Sequence, residues 1–233
     1  MSLKIHSIES LGALDGPGVR TVVFMQGCPL KCAYCHNPDT WDLNGGDSVT
    51  EDFLFNRIMR MKPYFKNKGG VTFSGGEPMV QAHDLIPLFH RLKSENVHIA
   101  IDTSGIIWNE DVKEAVELAD LVILDYKHTD LKAFQELTGG MLTKTQMFLK
   151  NIIQMSKPYW IRQVIIPGIS DNEKQVMQLN RLTFSNLREK IELLPFHKMG
   201  MHKWEKLGKI CPLKDTPEMD IEYLNVLMKK IQL

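Results

Sequence analysis

The chain has 233 residues, 28 basic and 28 acidic side chains for a formal net charge of zero, and 43% hydrophobic residues. That length suits one core, read as a single domain over 1–233, and the even charge gives no argument for nucleic acid or an anionic membrane as partner. The longest apolar runs, Leu121 to Leu124 and Val164 to Ile166, are far too short to cross a bilayer, so a soluble protein is expected.

In chain order, β-rich runs are predicted at Thr21 to Gln26, Gly70 to Ser74, His98 to Thr103, Leu121 to Tyr126, Trp160 to Ile166 and Ile191 to Phe196. Helical periodicity fills most of the gaps, at Glu51 to Lys62, Ala82 to Glu95, Asp111 to Ala119, Asp130 to Leu137, Thr143 to Met155 and Asn172 to Glu189. Residues 197–217 read as a loop and Pro217 to Ile231 as a final helix. Alternating strand and helix predicts an α/β fold, a parallel sheet with helices outside, and six such units can close part of a barrel.

Three cysteines fall within eight residues, in Gly27-Cys28-Pro29-Leu30-Lys31-Cys32-Ala33-Tyr34-Cys35-His36. An iron-sulfur cluster normally takes four cysteines and a structural zinc closes its tetrahedron with a fourth ligand, so three thiolates leave a position open. A four-iron cluster on Cys28, Cys32 and Cys35 would offer one iron to substrate. The same residues also read as a CxxCH haem attachment, a CxxC thiol-disulfide pair, or a Cys3His zinc knot with His36. Residues 1–25 lack the basic start, apolar stretch and small-residue cleavage site of a secretory leader, which haem attachment would require. With four cysteines in all, a cytoplasmic, reduced protein is expected, and Cys211, about 180 residues downstream of the trio, reads as an ordinary thiol.

Chemistry in such folds gathers at the carboxyl ends of the strands. Those ends carry, in order, the cysteine loop, Ser74-Gly75-Gly76-Glu77-Pro78, Asp102-Thr103-Ser104, Asp125-Tyr126-Lys127, Arg162 within the fifth run, and His197. Asp125 and Lys127, two apart on a strand, point the same way. An arginine inside an apolar run needs a buried partner. Plainer readings stand beside these: a tight turn for the glycines, a helix N-cap for Asp102, a surface pair for Asp125 with Lys127, and a structural role for His197.

CxxxCxxC after the first strand with Gly-Gly-Glu after the second resembles the radical S-adenosylmethionine enzymes. Asp15-Gly16-Pro17-Gly18-Val19-Arg20, Tyr34-Cys35-His36-Asn37-Pro38-Asp39-Thr40-Trp41, Leu124-Asp125-Tyr126-Lys127, Trp160-Ile161-Arg162 and Ile191-Glu192-Leu193-Leu194-Pro195-Phe196-His197 resemble the glycyl-radical activating enzymes within that superfamily. Residues 42–70 hold no cysteine, which favours the single-cluster type that acts on pyruvate formate-lyase; Pro78 departs from that subgroup.

The resemblance implies a 4Fe-4S cluster on Cys28, Cys32 and Cys35 at the C-terminal mouth of the partial barrel. S-adenosylmethionine at its free iron would be cleaved reductively to methionine and a 5'-deoxyadenosyl radical, which takes the α-hydrogen of a glycine in the partner. Gly75, Gly76 and Glu77 would hold the methionine amino end, and Tyr34 and His36 would flank the cluster and adenosyl group. Asp102, Asp125, Tyr126, Lys127, Arg162 and His197 would line the rest, with Lys127 and Arg162 meeting carboxylate or ribose. Asp102, Thr103 and Asp125 would hold Na+ or K+. Asp15 and the Gly-Pro-Gly after it would approach the glycyl-radical loop of pyruvate formate-lyase, while a flavodoxin or ferredoxin supplies the electron to a monomer. A radical enzyme acting on a small molecule such as a deazapurine precursor, and a zinc-stabilised binding module, are the competing readings.

Overall fold

The computed structural model describes residues 2–231. Its strands are β1 (Ser2–Gly12), β2 (Arg20–Met25), β3 (Asp47–Thr50), β4 (Gly70–Gly75), β5 (His98–Thr103), β6 (Leu121–Asp125), β7 (Tyr159–Ile165) and β8 (Arg188–Pro195). They form one sheet in the order β3-β1-β2-β4-β5-β6-β7-β8. β2 and β4 to β8 are parallel neighbours, the six strands predicted. β1 joins β2 and β3 antiparallel, so β3 and β8 remain as two edges and the barrel stays open.

The helices are α1 (Glu51–Met59), α2 (Lys62–Phe65), α3 (Ala82–Ser94), α4 (Glu110–Leu118), α5 (Leu131–Thr138), α6 (Leu142–Gln154), α7 (Glu173–Leu182), α8 (Met201–Lys206) and α9 (Ile221–Ile231). Side-chain oxygens cap five of them: Thr50 accepts from the Phe53 amide, Asn109 from Val112, Asp130 from Ala133, Asn172 from Gln175 and Asp220 from Tyr223. None of the described helices is long and apolar enough to cross a membrane.

Alternation along the strands sorts two layers. Val71, Phe73, Ile99, Ile101, Val122, Leu124 and Ile161 face the helices and join the large core. Ala100, Leu121, Ile123 and Trp160 make a small separate cluster on the inner face. Beyond it the inner face turns polar, and register sets Asp125 on β6 beside Arg162 on β7, and Arg162 beside Glu192 on β8.

The structure departs from the sequence reading in six elements, β1, β3, α7, β8, α8 and α9. β1, whose burial alternates along Leu3, Ile5 and the residues that follow, is not among the predicted strands, and neither is β3, four mostly exposed residues without an apolar signature. α7 stops at Leu182, because Thr183 turns its hydroxyl back onto the Leu179 carbonyl at 2.8 Å and β8 then begins at Arg188. The charged start of β8 mimics a helix, while it is an edge strand that tolerates charge. The 197–217 loop contains α8, and the last helix starts at Ile221, where Asp220 accepts from the Tyr223 amide at 2.7 Å.

Phe73 of β4 and Phe89 of α3 meet with ring centroids 4.8 Å apart, both wholly buried. Phe89→Ala is expected to cost about 3–5 kcal/mol, read as a lower denaturant midpoint with an unchanged slope.

Candidate active site

The cysteine loop lies across the ends of β2 and β4, held by backbone. The Gly76 amide donates to the Met25 carbonyl at 2.9 Å and the Glu77 amide to the Gly27 carbonyl at 2.8 Å. A Cβ on Gly76 would stand 2.4 Å from the Gly27 oxygen, and Gly75, at φ +100°, has the Met25 backbone 2.5 Å from where its Cβ would be. The glycine pair therefore lets two main chains touch. From the other side, the Lys31 and Ala33 amides donate to Thr138 and Leu137 carbonyls at 2.9 and 2.8 Å.

A cavity of about 250 Å³ opens beneath this loop. Cys28, Cys32, Cys35, Tyr34 and His36 form one wall, and Ser74, Gly75, Gly76, Asp102, Thr103, Asp125, Lys127 and Arg162 form the facing one. Leu30, Asn37, Thr40, Trp41, Ser104, Val164 and Leu194 complete it; Ser104 was among the strand-end residues, while Leu30, Asn37, Thr40, Trp41, Val164 and Leu194 carry no site role in the sequence reading. A larger groove of about 1110 Å³ on the outer surface, lined by Met177, Phe184 and Lys230, holds no thiol and lies away from the strand ends.

Burial pushes the Cys28 thiol up to about 11 and Cys32 up to about 12, and raises Cys35 as well. All four cysteines are free thiols. Among the described residues, no three His, Cys, Asp or Glu side chains gather around one point as ligands of a single ion do. Three thiols sharing a wall in this way suit a polynuclear group.

The facing wall pairs opposite charges. Lys127 Nζ donates to Asp125 Oδ2 at 2.5 Å, leaving Asp125 Oδ1 buried and without a partner. Burial opposes the Lys127 charge, but Asp125, then Tyr34 and Cys32, outweigh it and hold the ammonium well above the usual lysine range. Its Nζ sits 5.5 Å over the Tyr34 ring, whose hydroxyl is also buried without a partner. Arg162 donates through Nε and Nη2 to Glu192 at 3.1 and 3.0 Å, through Nη1 to Asp102 at 3.3 Å, and through Nη2 to the Leu14 carbonyl at 2.7 Å. Burial pushes Asp102 up to about 6 despite Arg162, with Asp125 and Asp15 adding to the rise. The orphaned acceptor on Asp125, two cations and a second carboxylate fit a ligand that carries both an ammonium and a carboxylate.

Four expected site residues stand back from this cavity. Glu77 is fully buried, and its carboxylate accepts from Thr103 Oγ1 (2.6 Å), Ser104 N (2.9 Å), Ser104 Oγ (2.5 Å) and Met79 N (3.2 Å); it braces the loops rather than lining the wall. Tyr126 points to the helix layer, as strand alternation requires, and belongs to the core. His197 stacks on His36 at 4.1 Å, and its carbonyl faces His36 Nε2 at 3.2 Å, one layer behind the wall. Burial, with His197 beside it, lowers the His36 pKa. Asp15 lies 3.9 Å from Arg162, on the hairpin between β1 and β2; burial raises its pKa and Arg162 opposes that rise.

Arg20, Glu192 and Trp204 occur in motifs but receive no site role from the sequence. Arg20, fully buried, donates to Thr72 Oγ1, the Pro17 carbonyl and the Val71 carbonyl at 2.7, 2.9 and 2.6 Å. An arginine opening an apolar run was its signal, as for Arg162. Cys211 Sγ contacts the Ala33 carbonyl at 3.4 Å as a buried thiol.

A family model described as a 4Fe-4S single cluster domain matches residues 14–140. The pyruvate formate-lyase-activating enzyme of Clostridium pasteurianum is 43% identical over 232 residues, covering 98% of this chain and 97% of that protein. This chain belongs to the pyruvate formate-lyase-activating enzyme family. A solved domain of such an enzyme from Bacteroides vulgatus ATCC 8482 superposes with a TM-score of 0.58 at 25% identity, over 70% of this chain and 93% of that one. Streptococcus suis SuiB, solved with its precursor peptide SuiA, shares the fold at a TM-score of 0.68 and 17% identity, over 89% of this chain and 44% of its own. The chain is thus an iron-sulfur enzyme of the radical S-adenosylmethionine superfamily, and the haem, zinc and thiol-disulfide readings of its cysteines fall away.

Two outcomes are expected from this geometry. Glu77→Ala strips four donors of their acceptor and should cost on the order of 3–5 kcal/mol in chemical denaturation. An Asp102 carboxyl that ionises near 4 when unfolded and at about 6 when folded keeps its proton longer in the native state. It therefore subtracts stability as pH rises through that window. Denaturation midpoints of the metal-free protein at pH 5 and pH 7 should show Asp102→Asn gaining on the wild type as pH rises.

Proposed function

We propose that this chain activates pyruvate formate-lyase under anaerobic conditions by generating a glycyl radical on it. The observation that carries the reading is the set of three thiols facing a wall of paired carboxylates and cations at the ends of parallel strands. What a 4Fe-4S cluster and S-adenosylmethionine supply here, when bound, is one-electron cleavage of a carbon-sulfur bond and with it the oxidant for hydrogen abstraction from a glycine α-carbon.

Cys28, Cys32 and Cys35 hold the cluster as thiolates. Because burial keeps those thiols protonated, loading it releases protons, and assembly favours higher pH. Lys127 and Arg162 orient the carboxylate or ribose of the cofactor, and Asp102 and Asp125 receive its ammonium. The Gly75-Gly76 backbone borders the methionine end, with Glu77 fixing the loop beneath it. Asp102, Thr103 and Asp125 are the donors for a monovalent cation, Na+ or K+. Tyr34, Val164 and Leu194 keep water from the reacting atoms. The Asp15 to Gly18 hairpin meets the glycine-bearing loop, and a flavodoxin or ferredoxin provides the electron.

Anaerobic reconstitution should give about four irons per chain. Added reductant, S-adenosylmethionine and the lyase should then give a glycyl-radical signal in electron paramagnetic resonance. Cys32→Ala should lose both iron and signal. Cofactor cleavage without a protein radical would make the partner wrong, and no cleavage at all would make the reaction wrong.

A further inference from the structure

Reductive cleavage needs one electron per turnover from outside the chain, while the mouth is where the glycine-bearing partner must enter. A second approach to the cysteine loop is built by α8 and the segment after it. Over residues 198–214 the chain places Lys198, Lys203, Lys206, Lys209 and Lys214 against a single acid, Glu205, although its overall charge is balanced. Among the described residues, only Lys203 of these five pairs with a carboxylate: its Nζ lies 3.0 Å from Asp39 and 2.7 Å from the Asn37 side chain. That pair pins α8 to the chain just past Cys35.

The contact beneath is direct. Trp204 Nε1 donates to the Cys35 carbonyl at 2.8 Å, and Gly200 lies so close to His36 that a Cβ would stand 2.5 Å from its Cα. Trp204 meets Trp41 edge-on at 5.0 Å, and Lys31 Nζ lies 5.0 Å over the Trp41 ring, so the exposed lysine of the cysteine loop adjoins the same surface. Met199 and Ile210, each 76% exposed, and Leu207, 43% exposed, add apolar area among the lysines. Trp204 is not part of the cavity wall, so α8 covers the cysteine loop from outside and touches the wall through Trp41.

We propose that Lys31, Lys206, Lys209 and Ile210 over Trp204 form the docking face for an acidic one-electron carrier protein. The proposal rests on the function argued above: the carrier loses one electron and the cysteine-held site gains it. Unpaired, exposed cations around an apolar centre attract a partner of opposite sign, speed encounter and let it leave. The occupant is an acidic carrier rather than the lyase, because Lys206, Lys209 and Ile210 stand outside the cavity lining and the face meets the cavity only at Trp41.

The test uses the reconstituted enzyme and an acidic flavodoxin as probe. Lys206→Glu with Lys209→Glu should weaken flavodoxin binding about 10-fold at low ionic strength, with Lys→Gln at both positions falling between. The difference should close as salt is added. S-adenosylmethionine cleavage driven by reduced flavodoxin should fall in parallel, while cleavage driven by dithionite and the iron content stay at the wild-type level. An unchanged flavodoxin affinity overturns the proposal, as does a variant that binds flavodoxin normally but loses affinity for the lyase. Failure of dithionite-driven cleavage in the wild type defeats the assigned reaction, and the flavodoxin affinity still decides the docking face.

Discussion

The site depends on a place where two main chains touch. Gly76 and Glu77 send their amides to the carbonyls of Met25 and Gly27, and the space between them admits no side chain at position 76. The Glu77 carboxylate then reaches under the loop to gather Thr103, Ser104 and Met79. Three strand ends are tied here: backbone amides join the ends of β2 and β4, and the buried carboxylate joins β4 to β5 through donors that replace the water it lost. The cysteine loop has few regular hydrogen bonds of its own, so its shape is borrowed from this bracing.

The polar inner face is arranged on the same logic. Strand register alone puts Asp125, Arg162 and Glu192 in one row, and Arg162 spends its donors on two carboxylates and a carbonyl of the β1–β2 hairpin. Thr72 takes the Asp15 carbonyl at 2.6 Å, and Arg20 takes that of Pro17. The β1–β2 hairpin is thus fixed through its backbone by Arg162 of the wall and by the buried Thr72 and Arg20. Each cation on that wall has a carboxylate within reach, and one acceptor is left over, the buried Oδ1 of Asp125, a residue that lines the cavity. Burying so much charge is costly unless paired, which explains why the pairs are close and why Asp102 resists ionisation.

Much of this was legible in the sequence, for physical reasons that differ by element. Five of the six parallel strands, β2 and β4 to β7, are short, largely buried runs, and the residues after them had to sit at one end of the sheet. Cys28, Cys32, Asp102, Asp125, Lys127 and Arg162 come together for that reason alone. Glu77 and Tyr126 were harder: a motif shows that a residue sits at a strand end, not which way its side chain turns. Alternation could have placed Tyr126 opposite Asp125 and Lys127. β3 and the charged start of β8 were hidden because edge strands are free to be polar. Glu192 was visible only through its register partner, which no single strand discloses.

α8 shows what local sequence withholds. Read alone, residues 197–217 are a lysine-rich loop, and nothing in their periodicity says that Trp204 lies on the Cys35 backbone. The stabilising contacts come from residues more than 160 positions earlier, Asn37, Asp39, Cys35 and Trp41. A six-residue helix gains little from its own hydrogen bonds, so it forms where tertiary contacts hold it. The same contacts separate two faces of one loop: thiols and charge pairs toward the cavity, and unpaired lysines toward solvent over the buried Trp204. A site that must exclude water from a reactive centre and still receive electrons from outside needs both, and here a few residues of backbone divide them.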